Sequence, residues 1–199
     1  MSIIKLNNRA VKDATAVGSI TGLGNLKFIS RSTASSSSSV NITSCIDSTH
    51  KEYIFVFNNI HPASGSHFSF QGDTGTNTNY NQTITSSFFQ AEFSEAGSNE
   101  ALGYQSSSDQ AQGTSFQRIF SSVSTSADDS GSGYLHLFNP ASTTFTKHFM
   151  ATSNNVASAY TQNSFAAGYF NTTSAIDAIQ FKLASGNIDA GTITLYGIN

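Results

Sequence analysis

From residue 26 onward, the chain alternates between short apolar runs and clusters of Ser, Gly, Asn and Asp, and helix signals are nearly absent. Residues 52–60 give the clearest run, Glu-Tyr-Ile-Phe-Val-Phe-Asn-Asn-Ile, in which every second residue from Tyr53 to Phe57 is aromatic. Because successive side chains of a β-strand point to opposite faces, the intervening Ile and Val fall on the other face. The pattern therefore predicts a central β-strand.

Similar runs bring the total to about ten or eleven candidate strands. That number exceeds what one sheet holds comfortably, and it favours two packed sheets. The sequence thus predicts an all-β protein, specifically a jelly-roll-like antiparallel β-sandwich with an extended N-terminal arm. The other runs are residues 26–30, which alternate only weakly, and residues 67–71, 82–93, 118–124, 134–138, 143–151, 166–170, 176–183 and 192–198.

Two connections predict which strands are neighbours. The runs at 67–71 and 82–93 are expected to pair across the turn-rich residues 72–79. The last two runs are expected to form a hairpin around Ser-Gly-Asn at residues 185–187.

Two further segments are turn or loop candidates. Pro140, within Asn-Pro-Ala-Ser at residues 139–142, predicts a tight turn between the runs on either side. The serine tract at residues 35–39 is either a flexible loop or an edge strand.

The first 25 residues differ from the rest of the chain. They carry cations and apolar elements that are too few to form a core, so we expect them to become ordered only against another surface. The sequence thus divides into an N-terminal docking arm, residues 1–25, and a β-sandwich domain, residues 26–199. The alternatives for the arm are a frayed tail and an ordinary first strand. The residues expected to dock the arm are Lys5, Leu6, Arg9 and Lys12.

Composition narrows the classes of partner. Only 11% of the residues are charged, against about 25% in an ordinary soluble domain, so the exterior is expected to be polar but uncharged. A net charge of -3 without clustered Lys and Arg gives no reason to expect a nucleic-acid partner. No run approaches the roughly 18 apolar residues of a membrane-spanning helix, so membrane insertion is not expected either.

Two local features concern where the chain is made and how its single cysteine is used. The N-terminus lacks the apolar stretch of a secretion signal, so the chain is expected to be made in the cytoplasm. The single cysteine, Cys45, cannot form an internal disulfide, and we expect it to be a small buried apolar residue.

Candidate catalytic and metal-binding residues are scattered. His136 and His148 fall on neighbouring predicted strands, but no His-x-His or Cys-x-x-Cys spacing prepares a pair of metal ligands. Glu92, Glu95 and Glu100 cluster, yet nothing predicts the burial that a glycosidase needs for its acid.

Known site motifs are also missing. Residues 128–133, Asp-Asp-Ser-Gly-Ser-Gly, lack the spaced ligands of a calcium loop and are interpreted as a solvated turn. Neither a Gly-x-Ser-x-Gly elbow nor a dinucleotide-binding glycine motif occurs. We therefore expect no metal, no cofactor and no enzymatic activity.

Four stretches carry a resemblance to a known group: residues 3–12, 51–61, 132–145 and 174–198. They are similar to virion proteins of marine tailed bacteriophages, which infect cyanobacteria and other ocean bacteria and are described as structural or tail-fibre-like. The resemblance covers most of the chain. It implies a place in the virion after synthesis in the host cytoplasm, capsid or tail proteins as partners, and no catalytic residue.

Two functions of different classes follow. The leading expectation is a non-enzymatic virion structural protein. It would be an outward-facing module of the tail fibre or a capsid decoration protein, held by its arm and forming a homo-oligomer, with a trimer favoured. The alternative is a carbohydrate-binding module that recognises a host surface glycan. For that function, Tyr80, Tyr104 and Tyr160 are expected to lie in loops beside amide side chains and to form a sugar platform.

Overall fold

The computed structural model describes residues 26–98 and 100–198. All regular secondary structure within these ranges is β-strand. The all-β sandwich prediction is confirmed, with thirteen strands where about ten or eleven were expected. The strands are β1 (Leu26–Ser37), β2 (Val40–Ile42), β3 (Glu52–Pro62), β4 (Ser66–Asp73), β5 (Ile84–Ser94), β6 (Glu100–Tyr104), β7 (Gln110–Gly113), β8 (Gln117–Val123), β9 (Gly131–Phe138), β10 (Lys147–Val156), β11 (Tyr160–Phe170), β12 (Ala178–Leu183) and β13 (Ile188–Ile198).

These strands form two antiparallel sheets. The larger sheet has nine strands in the order β1-β13-β3-β9-β10-β11-β5-β6, and β7 also pairs with β5. The smaller sheet has four strands in the order β2-β12-β4-β8. Its last strand, β8, packs across β10 and β11 of the larger sheet.

The core between the sheets is built from phenylalanine. Phe181 of β12 contacts Phe55 and Phe57 of β3, with ring centroids 5.4 and 5.2 Å apart. It also stacks on Phe68 of β4, at 5.8 Å. Phe55 and Phe57 are fully buried, as the alternation of residues 52–60 predicts, and β3 lies inside the larger sheet. The contacts of Phe181 thus join the two sheets.

The hairpin predicted around residues 185–187 is wrong. β12 pairs with β2 and β4 in the smaller sheet, whereas β13 pairs with β1 and β3 in the larger one. Both strands contribute buried apolar residues to the same core, so the chain crosses from one sheet to the other between them. A hairpin and such a crossing place the same turn residues between the same apolar runs, so the local pattern does not distinguish them.

The pairing predicted across residues 72–79 is wrong for the same reason. β4 lies in the smaller sheet and β5 in the larger one. Asp73 holds the crossing segment, because its carboxylate accepts hydrogen bonds from the backbone N–H groups of Thr74 (2.9 Å) and Tyr80 (3.1 Å). The Asp73 side chain is fully buried at this point.

Two other local predictions agree with the structure. The turn at Pro140 joins the paired strands β9 and β10, and within it the N–H of Ser142 donates to the carbonyl of Asn139 at 3.0 Å. The serine tract belongs largely to β1, which is an edge strand of the larger sheet. The edge-strand alternative is therefore the correct one.

Cys45 is exposed, which corrects the expectation that it is buried. It lies in the irregular segment between β2 and β3, where its φ of 68° falls in the left-handed region. The next residue, Ile46, is only 3% exposed and takes the core position instead.

Candidate functional site

Large apolar side chains remain exposed on the outer side of the larger sheet, on β5, β6 and β10. Leu102 is 75% exposed, Tyr104 59% and Met150 57%, and Phe89 and Phe93 are each nearly half exposed. Scattered exposed apolar residues are ordinary, but a contiguous group marks an interaction surface. We call this group the aromatic face, and it consists of Phe89, Phe93, Leu102, Tyr104, Met150 and the partly buried Phe165.

Strand pairing arranges these residues in rows across the sheet. Tyr104 of β6 lies opposite Phe89 of β5, which in turn lies opposite Phe165 of β11. The rings of Phe89 and Phe165 are stacked, with centroids 4.7 Å apart. In the next row, Leu102 lies opposite Ala91. Because successive side chains of β5 point to opposite sides of the sheet, one set packs in the core and the other set belongs to the aromatic face.

The rows of the aromatic face are almost free of charge. One row runs from Tyr104 to Tyr134 and the next from Leu102 to Ser132, and neither contains an acidic or basic side chain. Two carboxylates mark the edge of this uncharged area: Glu100, opposite Phe93, and Asp109, which accepts a hydrogen bond from the Tyr104 hydroxyl. A surface of this kind can approach another neutral surface without the cost of desolvating charges.

The predicted sugar platform requires correction. Tyr80 does lie in a loop, but its side chain is buried, with 6% exposed. Tyr104 and Tyr160 lie in β6 and β11, not in loops. The register places them on opposite faces of the sheet, since Tyr104 pairs with Phe89 and Tyr160 pairs with Ser94, five positions further along β5. The three tyrosines therefore do not form one platform, and glycan contact by Tyr104 or Tyr160 alone stays a prediction.

Tyr160 does line a cleft of about 420 Å³, together with Gln162, Glu92, Glu100 and Ala101. The Glu92 carboxylate accepts hydrogen bonds from the side-chain amides of Gln162 (3.1 Å) and Gln90 (3.2 Å). The structure thus brings two of the three clustered glutamates to one cleft, which the sequence pattern did not predict.

The candidate metal ligands are not assembled into a site. His136 and His148 do lie on adjacent strands, β9 and β10, as predicted. His136 binds the carboxylate of Glu52 through Nδ1. Within residues 26–98 and 100–198, no group of three His, Cys, Asp or Glu side chains is arranged to hold a metal ion.

The acidic turn at residues 128–133 is only partly solvated. Asp129 is buried, with 8% exposed, and its carboxylate accepts a hydrogen bond from the hydroxyl of Ser124. Its backbone carbonyl binds Nδ1 of His61 at 2.7 Å. These contacts give Asp129 a role in holding the turn against the sheet.

The residues expected to dock the arm, Lys5, Leu6, Arg9 and Lys12, lie outside the described residues. In the part of the chain that is described, no helix is long and apolar enough to cross a membrane. No family model matches the chain, and no curated protein or solved structure matches it significantly.

Proposed function

We propose that this chain is a non-enzymatic structural protein of a bacteriophage virion, a tail or capsid-surface module that works by packing against other proteins. The observation that carries the proposal is the aromatic face, in which Leu102 and Tyr104 of the edge strand β6 are more than half exposed. Burial of these side chains against another protein would lower the free energy by about 25 cal/mol per Å² of apolar area removed from water. The resemblance of four stretches to phage virion proteins supports the assignment to a virion.

The first partner of the aromatic face is a second copy of this chain. Identical surfaces that meet around a symmetry axis bring like charges together, which costs energy unless the surface is neutral. The aromatic face meets that condition, because its two central rows carry no acidic or basic side chain. The homo-oligomer, with a trimer favoured, is therefore part of the proposal.

Strand pairing supports a jelly roll as the underlying topology. In a ribbon rolled into two sheets, the first strand pairs with the last, the second with the second-last, and so on inward. Four pairs of this chain follow that nested order: β1 with β13, β2 with β12, β3 with β9, and β4 with β8. The remaining strands, β5 to β7 and β10 to β11, are then two insertions that extend the larger sheet.

These insertions explain where the aromatic face lies. All six of its residues belong to β5, β6, β10 or β11, and none belongs to the eight nested strands. The added strands also pack into the core, through buried residues such as Phe88, Phe149 and Phe170, and their outer side carries the apolar groups of the aromatic face. This division is typical of a scaffold that carries an assembly surface.

The arm attaches the module to the particle in this proposal, because Lys5, Arg9 and Lys12 give residues 1–25 a positive charge suited to an acidic particle surface.

A chain that lacks residues 1–24 should fold and self-associate like the full chain but should be lost from particles. The measurement is the amount of tagged chain that sediments with particles after infection of cells that express it. Equal incorporation of the full and shortened chains would contradict the role of the arm.

A further inference from the structure

A cleft lies on the outer side of the smaller sheet. It has a volume of about 440 Å³, within the range of pockets that bind small molecules. His67 of β4 and Arg118 of β8 form its floor, and the segment from Ser107 to Phe116 forms its wall. The side chain of Gln71, on the same side of β4, holds this wall by donating to the carbonyls of Thr114 and Ser115 (3.2 and 3.0 Å).

Two of the nine Lys and Arg residues of the chain lie at or beside this cleft, Arg118 in its lining and Lys182 over the ring of Phe116. Lys182 of β12 lies opposite Ser69 of β4, which lies opposite Arg118. The three residues therefore form one row across the sheet. Lys182 extends over the ring of Phe116, with its Nζ 3.9 Å from the ring centroid. Two cations thus flank one aromatic wall of the cleft.

The guanidinium of Arg118 is only partly satisfied by the protein. Its Nη1 donates to the hydroxyl of Ser108 at 2.8 Å, and no carboxylate of the described residues forms an ion pair with it. Partial burial lowers the pKa of Arg118, and burial together with Arg118 lowers the pKa of His67. An anion in the cleft would compensate for this desolvation, and a guanidinium binds planar oxyanions through two parallel hydrogen bonds.

The rest of the lining suits a hydroxylated ligand. Ser107, Ser108 and Ser115 supply hydroxyl or backbone groups, and Gln110 supplies an amide. Phe116 also lines the cleft, and a sugar can pack against the side of its ring that Lys182 does not cover. A small inorganic anion would contact only the nearest donors and would leave the other groups of the lining unused. We propose that this cleft binds a carboxylated saccharide, with the carboxylate on Arg118 and the sugar ring against Phe116.

One acidic residue also lines the cleft and provides a sharp test. The Asp109 carboxylate accepts a hydrogen bond from the hydroxyl of Tyr104 at 2.5 Å and forms no ion pair with Arg118. Its charge opposes an anionic ligand. Asp109→Asn keeps an acceptor for Tyr104 and removes the repulsion, so this variant should bind the ligand a few-fold more tightly.

The experiment is calorimetric titration of the full chain with three probes: tri-galacturonate, the matched neutral trisaccharide of galactose, and sodium sulfate. Tri-galacturonate should bind, and the neutral sugar and sulfate should bind at least about tenfold more weakly. Arg118→Gln should weaken tri-galacturonate binding by at least about tenfold, since a charged hydrogen-bonding pair is lost. Arg118→Lys, which keeps the charge but not the paired donors, should fall between.

Equal binding of the neutral and acidic sugars would overturn the proposal, as would sulfate binding as tight as that of tri-galacturonate. Undetectable tri-galacturonate binding, or an unchanged affinity in Arg118→Gln, would do so as well. Thermal unfolding of each variant shows whether the cleft still forms. If Arg118→Gln fails to fold, the opposite shifts expected for Arg118→Lys and Asp109→Asn decide the question. None of these results bears on whether the chain is a virion component.

Discussion

Phe181→Ala is expected to lower the free energy of unfolding by about 3–5 kcal/mol, because it removes a buried aromatic ring and leaves a cavity. Phe181 is fully buried and contacts Phe55, Phe57, Phe68 and Phe70, so its ring touches both sheets. The loss should appear in urea unfolding as a lower midpoint with little change in slope. Such a loss is a large part of the 5–15 kcal/mol that stabilises a typical domain.

Two variants provide controls for this prediction. Phe181→Leu keeps most of the apolar volume and should cost clearly less than Phe181→Ala. Phe145→Ala removes the same atoms from a residue that is 69% exposed in the loop before β10, so it should cost less than about 0.5 kcal/mol. A similar loss for Phe145→Ala and Phe181→Ala would show that Phe181 does not join the sheets as described.

Serine substitutions in the aromatic face are expected to separate the proposed homo-oligomer into single chains. Phe89→Ser and Leu102→Ser each remove a large apolar side chain from a surface that we propose to be buried between copies. Central apolar contacts of an interface contribute about 2 kcal/mol each, which corresponds to roughly thirtyfold in the dissociation constant. Light scattering coupled to size exclusion should give about three times the 21.1 kDa of one chain for the wild type, and the mass of one chain for the double variant.

Phe28→Ser is the matched control, because Phe28 is also an exposed phenylalanine on the outer side of the larger sheet. It lies on β1, at the opposite edge of the sheet from β6, and packs against Tyr196. Its mass in solution should equal that of the wild type. A wild type that is monomeric at every concentration, or a Phe28→Ser variant that dissociates while the double variant does not, would exclude the aromatic face as the interface.

The sequence predicted the strands better than their partners. Alternation identified β3 and its buried face, because that information is contained in consecutive side chains. The same pattern failed at residues 72–79 and 185–187, where the chain crosses between sheets, since pairing depends on contacts with distant strands. Cys45 was misplaced because its position follows from an irregular segment with a left-handed residue, and not from a strand pattern.

The candidate surfaces were missed for a related reason. Tyr104, Phe89 and Phe165 form one row only because β5 pairs with both β6 and β11. Lys182 and Arg118 are 64 positions apart in the chain and meet through Ser69 of β4. A weak signal for the aromatic face was present in the sequence, because the paired Phe88-Phe89 leaves one phenylalanine on each side of a strand. Without the register, that signal does not show which residues complete the face.

The most direct measurement of the central claim is the copy number of this chain in particles of the phage that we propose encodes it, determined by quantitative mass spectrometry after gradient purification. We predict that the intact chain is present in fixed proportion to the major capsid protein. Hundreds of copies per particle would indicate the capsid surface, and a few to a few dozen would indicate the tail. A chain that is abundant in infected cells but absent from purified particles would contradict the account.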